Sequence, residues 1–354
     1  MGAAAGRLGR GPRRARRGPQ GVPPAGARGR QRRARHAATL AARRVAGLRV
    51  FTLRPVAADD RDRVLDLVST GLAHGEGDDV PGLEHLLWGE PREDGLGFVA
   101  TRDGEVVGAA FGSVAERGGV LRAYVKVVVV AERCRRSGAG RLLLGALEQA
   151  ARVRGATEIQ AGGSAPSYWW PGVDTADREA TAFFGACGYA LPDGAPATNL
   201  DVDLEAHRNL VREPTQPQVP MRRLTHQEWP AFEEWMRETW GETWAAEVGG
   251  ALRRHPVSCF VAAEDGDYLG FAAYDTNRAG WFGPMGSDPA ARGRGVGAAL
   301  LRACLSDYLD AGRTACEIAW VGPVEFYARV VGAEPGRTFV ALRKPLTDDA
   351  DASA

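Results

Sequence analysis

At 354 residues the chain exceeds the usual single domain, and its 44% hydrophobic and 25% charged content is that of a globular protein in which no apolar run approaches the roughly 18 residues of a membrane span. The formal net charge of +1 hides an asymmetry: residues 1–44 hold 13 arginines and no acidic residue, while the remainder has 32 basic against 44 acidic side chains, a net charge of −12. The five cysteines (Cys134, Cys187, Cys259, Cys304, Cys316) are odd in number and form no C-x-x-C pair, which argues against a disulfide framework and a metal site and for reduced thiols in a cytoplasmic protein.

The arginine-rich stretch "GRGPRRARRGPQGVPPAGARGRQRRARH" has almost no large apolar residues, so a disordered tail is expected over residues 1–44. Clustered arginine suits a nucleic-acid arm, yet no aromatic interleaves to stack on bases, so nucleic acid is disfavoured as a partner. With 43 Arg, two Lys and abundant Ala, Gly and Pro, the stretch also reads as translated upstream sequence of a GC-rich gene, with the true start near Val45 or Val50.

From Leu48 onward, "LRVFTLRPV" predicts a strand and "AADDRDRVLDLVSTGL" an amphipathic helix with acidic residues in its first turn. "GFVATRDGEVVGAAFGSV" predicts two strands joined at Asp103-Gly104, a hairpin signal. "LRAYVKVVVV" ends in a β-branched run, as a central buried strand would. A glycine-opened helix, "RRSGAGRLLLGALEQAARVRG", a short strand, "ATEIQAGG", a helix over "ADREATAFFGACGY" and a strand, "TNLDVDL", complete a domain expected at 48–204. "VREPTQPQVP" lies in a proline-punctuated linker expected at 205–220. The order then recurs over 221–346, ahead of a tail at 347–354. An aromatic-rich helix around Phe232 to Trp244 is followed by "SCFVAAEDGDYLGFAAYD", a hairpin about Asp265-Gly266. "GWFGPMGS" is a strand, "RGRGVGAALLRACLSDYLDAG" a glycine-opened helix, "RTACEIAWV" a strand, "PVEFYARVVG" a helix and "TFVALRKPL" the last strand. One order used twice argues for a duplicated α/β domain.

Superposed, the two glycine turns are Arg135-Arg136-Ser137-Gly138-Ala139-Gly140, followed by Arg141, and Arg292-Gly293-Arg294-Gly295-Val296-Gly297, followed by Ala298. Both obey R-x-x-G-x-G. Glycines let successive backbone N–H groups face one concavity, the following helix adds unpaired N–H groups and the positive end of its dipole, and the arginines add charge, a set suited to a diphosphate. Val296, Leu300, Cys304 and Tyr308 recur at four-residue spacing, so the second helix is expected to pack on a sheet.

Strand, R-x-x-G-x-G, helix, strand, then a helix carrying "FY" before Gly resembles the GNAT acetyltransferase superfamily, in two tandem copies spanning nearly all of residues 48–346. The resemblance implies, for each copy, a mixed, mostly antiparallel sheet that splays between its fourth and fifth strands, with helices on its faces. It implies acetyl-CoA as cosubstrate, its pyrophosphate on the glycine turn and its pantetheine along the fourth strand, lined by Val128, Val129 and Val130 in the first copy and by Met285, Gly286 and Ser287 in the second. The partner would be an amine acceptor, a small molecule or a protein, in an N-acetyltransferase reaction.

Such transfer needs a polarised carbonyl and a proton for the departing thiolate, which suits a tyrosine, whose pKa is about 10. Members of the superfamily often carry it on the helix after the fifth strand, where Tyr327 stands; the first copy has Phe184 at that place. Glu317, on the strand bordering the cleft, is a candidate general base, with Glu264 and Asp275 as rivals. Arg135 to Phe184 spans 49 residues and Arg292 to Tyr327 spans 35. The 14 extra residues include Tyr168, Trp169 and Trp170, and three adjacent aromatics favour packing between the domains over holding an acceptor. Two readings compete: a non-catalytic coenzyme A sensor or scaffold, and an NAD-dependent oxidoreductase using Gly293-x-Gly295-x-x-Ala298 and Glu317. Against the latter, fewer than 60 residues follow Gly297 and the first copy breaks the fingerprint.

Overall fold

A computed structural model describes residues 51–72, 76–89, 95–117, 119–163, 168–192 and 196–346. The expected N-terminal and C-terminal tails, and the start near Val45 or Val50, lie outside the described residues.

The first copy runs β1 (Thr52–Pro55), α1 (Arg61–Gly71), α2 (Val80–Trp88), β2 (Gly95–Arg102), β3 (Glu105–Arg117), β4 (Val120–Val130), α3 (Ala139–Val153) and β5 (Glu158–Ala161). A short β6 (Val173–Asp174), α4 (Arg178–Ala186) and β7 (Ala197–Asp203) follow, and α5 (Arg208–Val211) lies in the expected linker. The second copy repeats the plan with β8 (Met221–Arg223), α6 (Trp229–Trp240), α7 (Glu242–Val248), β9 (Cys259–Glu264), β10 (Asp267–Tyr274), β11 (Trp281–Ser287), α8 (Val296–Asp310), β12 (Ala315–Ile318), α9 (Val324–Val331), β13 (Glu334–Val340) and β14 (Arg343–Pro345). The expected aromatic helix is two, broken at Gly241, whose φ of 88° no side chain tolerates well. The duplicated hairpins turn at Asp103-Gly104 and Asp265-Gly266, all four residues at positive φ, as the twist of a two-residue connection demands.

Two mixed sheets result, β1-β2-β3-β4-β5-β14 and β6-β13-β7-β12-β11-β10-β9-β8. Among the described residues, only β4/β5 and β11/β12 pair in parallel. Helices cover both faces. In the first copy α1 and α2 pack on one face and α3 and α4 on the other; in the second, α6 and α7 oppose α8 and α9. Val296, Leu300, Cys304 and Tyr308 are all buried, as their spacing requires.

The copies exchange their last strands. The sequence puts "TNLDVDL" at the end of the first copy, but β7 lies between β12 and β13, with Cys316 opposite Val202 and Pro335 opposite Leu200. Reciprocally, "TFVALRKPL" is two strands: β13 stays in the second sheet, and β14 pairs antiparallel with β5, Lys344 opposite Ile159. The exchange is driven by side chains. Leu200, Val202 and Leu204 enter the core of the second copy, while Leu342 and Leu346 enter that of the first, where Lys344 Nζ meets Glu148 at 2.8 Å. The linker is likewise a strap: Val211 and Val219 are buried on α8, and Arg302 donates to the Leu210 carbonyl and to Thr215 Oγ1, both at 2.8 Å.

Candidate active site

Each sheet opens at its parallel pair. β4 and β5 stay together from Arg122/Glu158 to Val125/Ala161, and a last bond runs from Gly162 N to the Val125 carbonyl at 2.9 Å. β4 then continues to Val130 with only β3 beside it. β11 and β12 pair at just Trp281/Glu317 and Phe282/Ile318, and β11 runs on to Ser287 against β10 alone. A register break marks each opening, at Lys126 in β4 and at Gly283-Pro284 in β11. Val128–Val130 and Met285–Ser287 therefore each present one backbone edge without a neighbouring strand, an edge that an extended amide-bearing ligand can join by strand addition.

Those free edges lead straight into the glycine turns. Gly138 (φ 92°) and Gly295 (φ 76°) sit at the N-caps of α3 and α8 in left-handed conformation, and no side chain caps either helix among the described residues. The first-turn amides thus remain open to an anion. A Cβ at Gly138 or Gly293 would meet nothing within 4 Å. A Cβ at Gly297 would lie 3.3 Å from Met285 Cε and 3.5 Å from the Phe326 ring; at Gly140 the equivalent neighbours are Phe183 and Val130. Strand end, glycine and following helix therefore converge alike in both copies.

The flanking side chains divide. Arg136 and Arg292 are exposed beside the turns. Arg135 Nε donates to the Val130 carbonyl at 3.2 Å, Arg141 to the Ala186 carbonyl at 2.8 Å, and Ser137 Oγ to Cys134 O. Arg294, expected on the diphosphate, is instead bound to both oxygens of Glu264 at 2.9 Å and to the Gln218 carbonyl. It clamps the linker to the turn and gives Glu264 an ion-pair partner. Ala139 lies in the first turn of α3, and Val296 and Ala298 in the first turn of α8.

Tyr327, on α9, lies against the split in the second sheet: its ring meets Phe282, the last paired residue, at 6.4 Å and Phe326 at 5.0 Å. Its hydroxyl has no hydrogen-bond partner among the described residues, and burial pushes its pKa up to about 12, so it stays protonated throughout the ordinary pH range. Phe184 is its counterpart, edge-on to Phe183 and Tyr189.

Glu317 lies in an ionic cluster. It accepts from Asn199 Nδ2 at 2.7 Å and from Arg337 at 3.1 Å, and is paired with Arg278. Burial works to raise its pKa, but the Arg278 and Arg337 guanidiniums outweigh it and hold the carboxyl below its ordinary range. A carboxylate clamped by two arginines is a poor base. Glu76 of the first copy joins this cluster, 2.7 Å from Arg337 and bonded by Trp170 Nε1 at 3.0 Å. Asp275, the other rival, is half-buried and accepts from Tyr308 Oη and Gly280 N, each at 2.6 Å, within the β10–β11 turn.

The aromatic insertion packs between the copies. Trp169 is buried in the core beneath α1 and α2, and Tyr168, Trp169 and Trp170 face Tyr124, Val125, Lys126, Gly162 and Gly163 across a small cavity at the split in the first sheet. Tyr168 reaches the other way as well, onto Trp281 of β11 at 5.6 Å.

The model of the acetyltransferase (GNAT) family matches residues 69–189 and 221–332, together more than half of the chain. The chain belongs to this family. No curated protein matches it. Among solved structures, this GNAT chain is similar to a GCN5-related glucosamine N-acetyltransferase region of a fungal multi-domain GH3 β-N-acetylglucosaminidase, at 20% identity and a TM-score of 0.64, covering 85% of this chain but 39% of that one. A tandem GNAT protein from the clavulanic acid biosynthesis pathway matches at 20% identity and a TM-score of 0.64, over 84% of this chain and 99% of that one. A GCN5-related N-acetyltransferase from Sphaerobacter thermophilus matches at 20% identity and 0.55, over 84% and 96%. At such identities the likeness is one of fold. No helix among the described residues is long and apolar enough to cross a membrane.

Proposed function

We propose that the chain is an acetyl-CoA-dependent N-acetyltransferase acting on an amine of a small molecule or a protein, with turnover in the second copy, and that its copies span 48–204 and 221–346. The observation that carries this reading is the free backbone edge of Met285–Ser287 running into the uncapped N-terminus of α8, with Tyr327 at the split beside it. The donor supplies an activated acetyl thioester. Backbone amides of the turn would hold its diphosphate, the free edge of β11 would orient its amide-bearing arm, a strand N–H would polarise the carbonyl, and the Tyr327 hydroxyl would protonate the departing thiolate.

Coenzyme A release from acetyl-CoA, followed with a thiol reagent across a panel of primary amines, tests the reading. Amine-dependent release supports it. Acetyl-CoA binding without release from any amine supports the sensor alternative instead.

A further inference from the structure

One side chain at the second split is unlike its surroundings. Trp320 follows β12 by two residues and adopts a φ of 52°, a left-handed conformation that bulky side chains rarely enter. It is 49% exposed, and it is the only aromatic among the exposed large hydrophobic side chains of the described residues. A residue that merely packed would be buried; one that merely turned the chain would be glycine or asparagine. The surroundings enforce the conformation. Trp320 N donates to Asn199 Oδ1 at 3.1 Å, and Asn199, fully buried, is itself fixed through Nδ2 to Glu317. Strain held in place by a buried network is a mark of a functional position.

The place is specific. Ala319 N makes the last bond to β11, through the Phe282 carbonyl at 3.2 Å, so Trp320 stands where the two strands part. It borders an aromatic corner: Tyr168 lies edge-on to Trp320 at 6.1 Å and to Trp281 at 5.6 Å, with Ala319 packed against it. The Tyr168 hydroxyl donates to the buried Glu247 of α7 at 2.9 Å, and Asn277 Nδ2 donates to the same oxygen at 2.7 Å. This corner belongs to the face covered by α6 and α7, opposite the face where Tyr327 sits with α8 and α9. A ligand reaching the split from that side meets the exposed part of Trp320, on a wall that the insertion of the first copy has fixed.

We infer that Trp320 is a specificity-determining residue of the acceptor site, and that the acceptor carries its amine next to a flat apolar group, aromatic in kind, which stacks on the indole. The inference rests on the transferase reading for the word acceptor, but the contact itself is a matter of binding. An indole held rigidly in the open offers a large apolar face at little further cost in side-chain freedom, and it favours offset-stacked or edge-on rings.

The test compares two primary amines of similar basicity, 2-phenylethylamine and ethylamine, by calorimetry on the full chain in the presence of coenzyme A and by coenzyme A release from acetyl-CoA. The parent should bind and use phenylethylamine at least tenfold better than ethylamine. Trp320→Ala should lose most of that preference by weakening phenylethylamine alone, and Trp320→Phe should keep it within about threefold. Trp320→Gly, which removes the backbone strain, should behave like the alanine variant and guards against a folding artefact. A parent indifferent between the two amines, or a Trp320→Ala chain that binds phenylethylamine as the parent does, would overturn the inference. Binding that depends on Trp320 with no release from either amine would leave this contact standing and, with no release across the wider amine panel, would overturn the transferase reading.

Discussion

Replacing Tyr327 by phenylalanine removes one hydroxyl and leaves the ring where it packs, between Phe282 and Phe326. The hydroxyl has no partner among the described residues, so no intramolecular hydrogen bond is lost, and the variant should unfold within about 0.5 kcal/mol of the parent at neutral pH. If the hydroxyl protonates the leaving thiolate, kcat should fall about 10²–10⁴-fold, a barrier increase of about 3–5 kcal/mol. Acetyl-CoA affinity should hardly change, because the glycine turn and the free edge of β11 are untouched, and a loss confined to kcat marks an interaction made in the transition state. The pH dependence adds a check. Burial raises the pKa of Tyr327 from 10 to about 12, so between those values the unfolded chain releases a proton that the folded chain keeps. Stability therefore declines as pH rises through that window, by up to about 2–3 kcal/mol, and the variant lacks this part of the decline. Below pH 10 the acid is fully protonated, and kcat should show no descending limb from it. Amine-dependent coenzyme A release, measured alongside thermal melts, reads all of this. Parent-like turnover in folded Tyr327→Phe would refute the assignment.

Gly297→Val should weaken acetyl-CoA binding by the second copy more than a hundredfold, since even its Cβ already touches Met285 and Phe326; Gly140→Val tests the first copy in the same way, and unchanged calorimetric affinity in both variants would sink the cradle. Glu317→Ala should cost about 1–3 kcal/mol of stability, because the buried Arg278 and the half-buried Arg337 would then share Glu76 as their remaining close carboxylate, with turnover per folded molecule little changed; lost turnover at parent-like stability would favour Glu317 as the base. Residues 45–204 and 221–346 expressed separately should each fail to fold and should recover on mixing, because each piece holds a strand of the other's sheet; two independently cooperative halves would contradict the exchange.

Much of the fold is legible in the residues. The β-branched run of β4, the Asp-Gly turns and the four-residue stripe of α8 are local patterns, and each fixes its element. The exchange of β7 and β14 is not legible, for a physical reason. Alternation in "TNLDVDL" says that Leu200 and Val202 are buried, and it is silent on which of two similar cores buries them. The same limit applies at the site. The glycine turns are contiguous in sequence, and so they can be found there. Glu317 looks like a cleft carboxylate until Arg278, Arg337 and Glu76, from three distant segments, are seen around it. Trp320 gives itself away only through its backbone angle and exposure.

The two openings are equivalent in backbone and unequal in side chains, and that inequality bears on what the first copy is for. At its split, Phe184 stands where the second copy has Tyr327, and Trp169 and Trp170 occupy the side from which an acceptor would approach. Its glycine turn is nonetheless intact and open. Meanwhile it furnishes the second copy with three things that copy lacks: β7 in the middle of its sheet, Glu76 beside the arginines that clamp Glu317, and Tyr168 beneath Trp320. Each contribution comes from a different part of the first copy, so losing its fold removes all three together. A copy without turnover would therefore still be required for turnover. Ligand binding at its open turn would stabilise the elements that hold the second site together, by the linkage that favours whichever state binds.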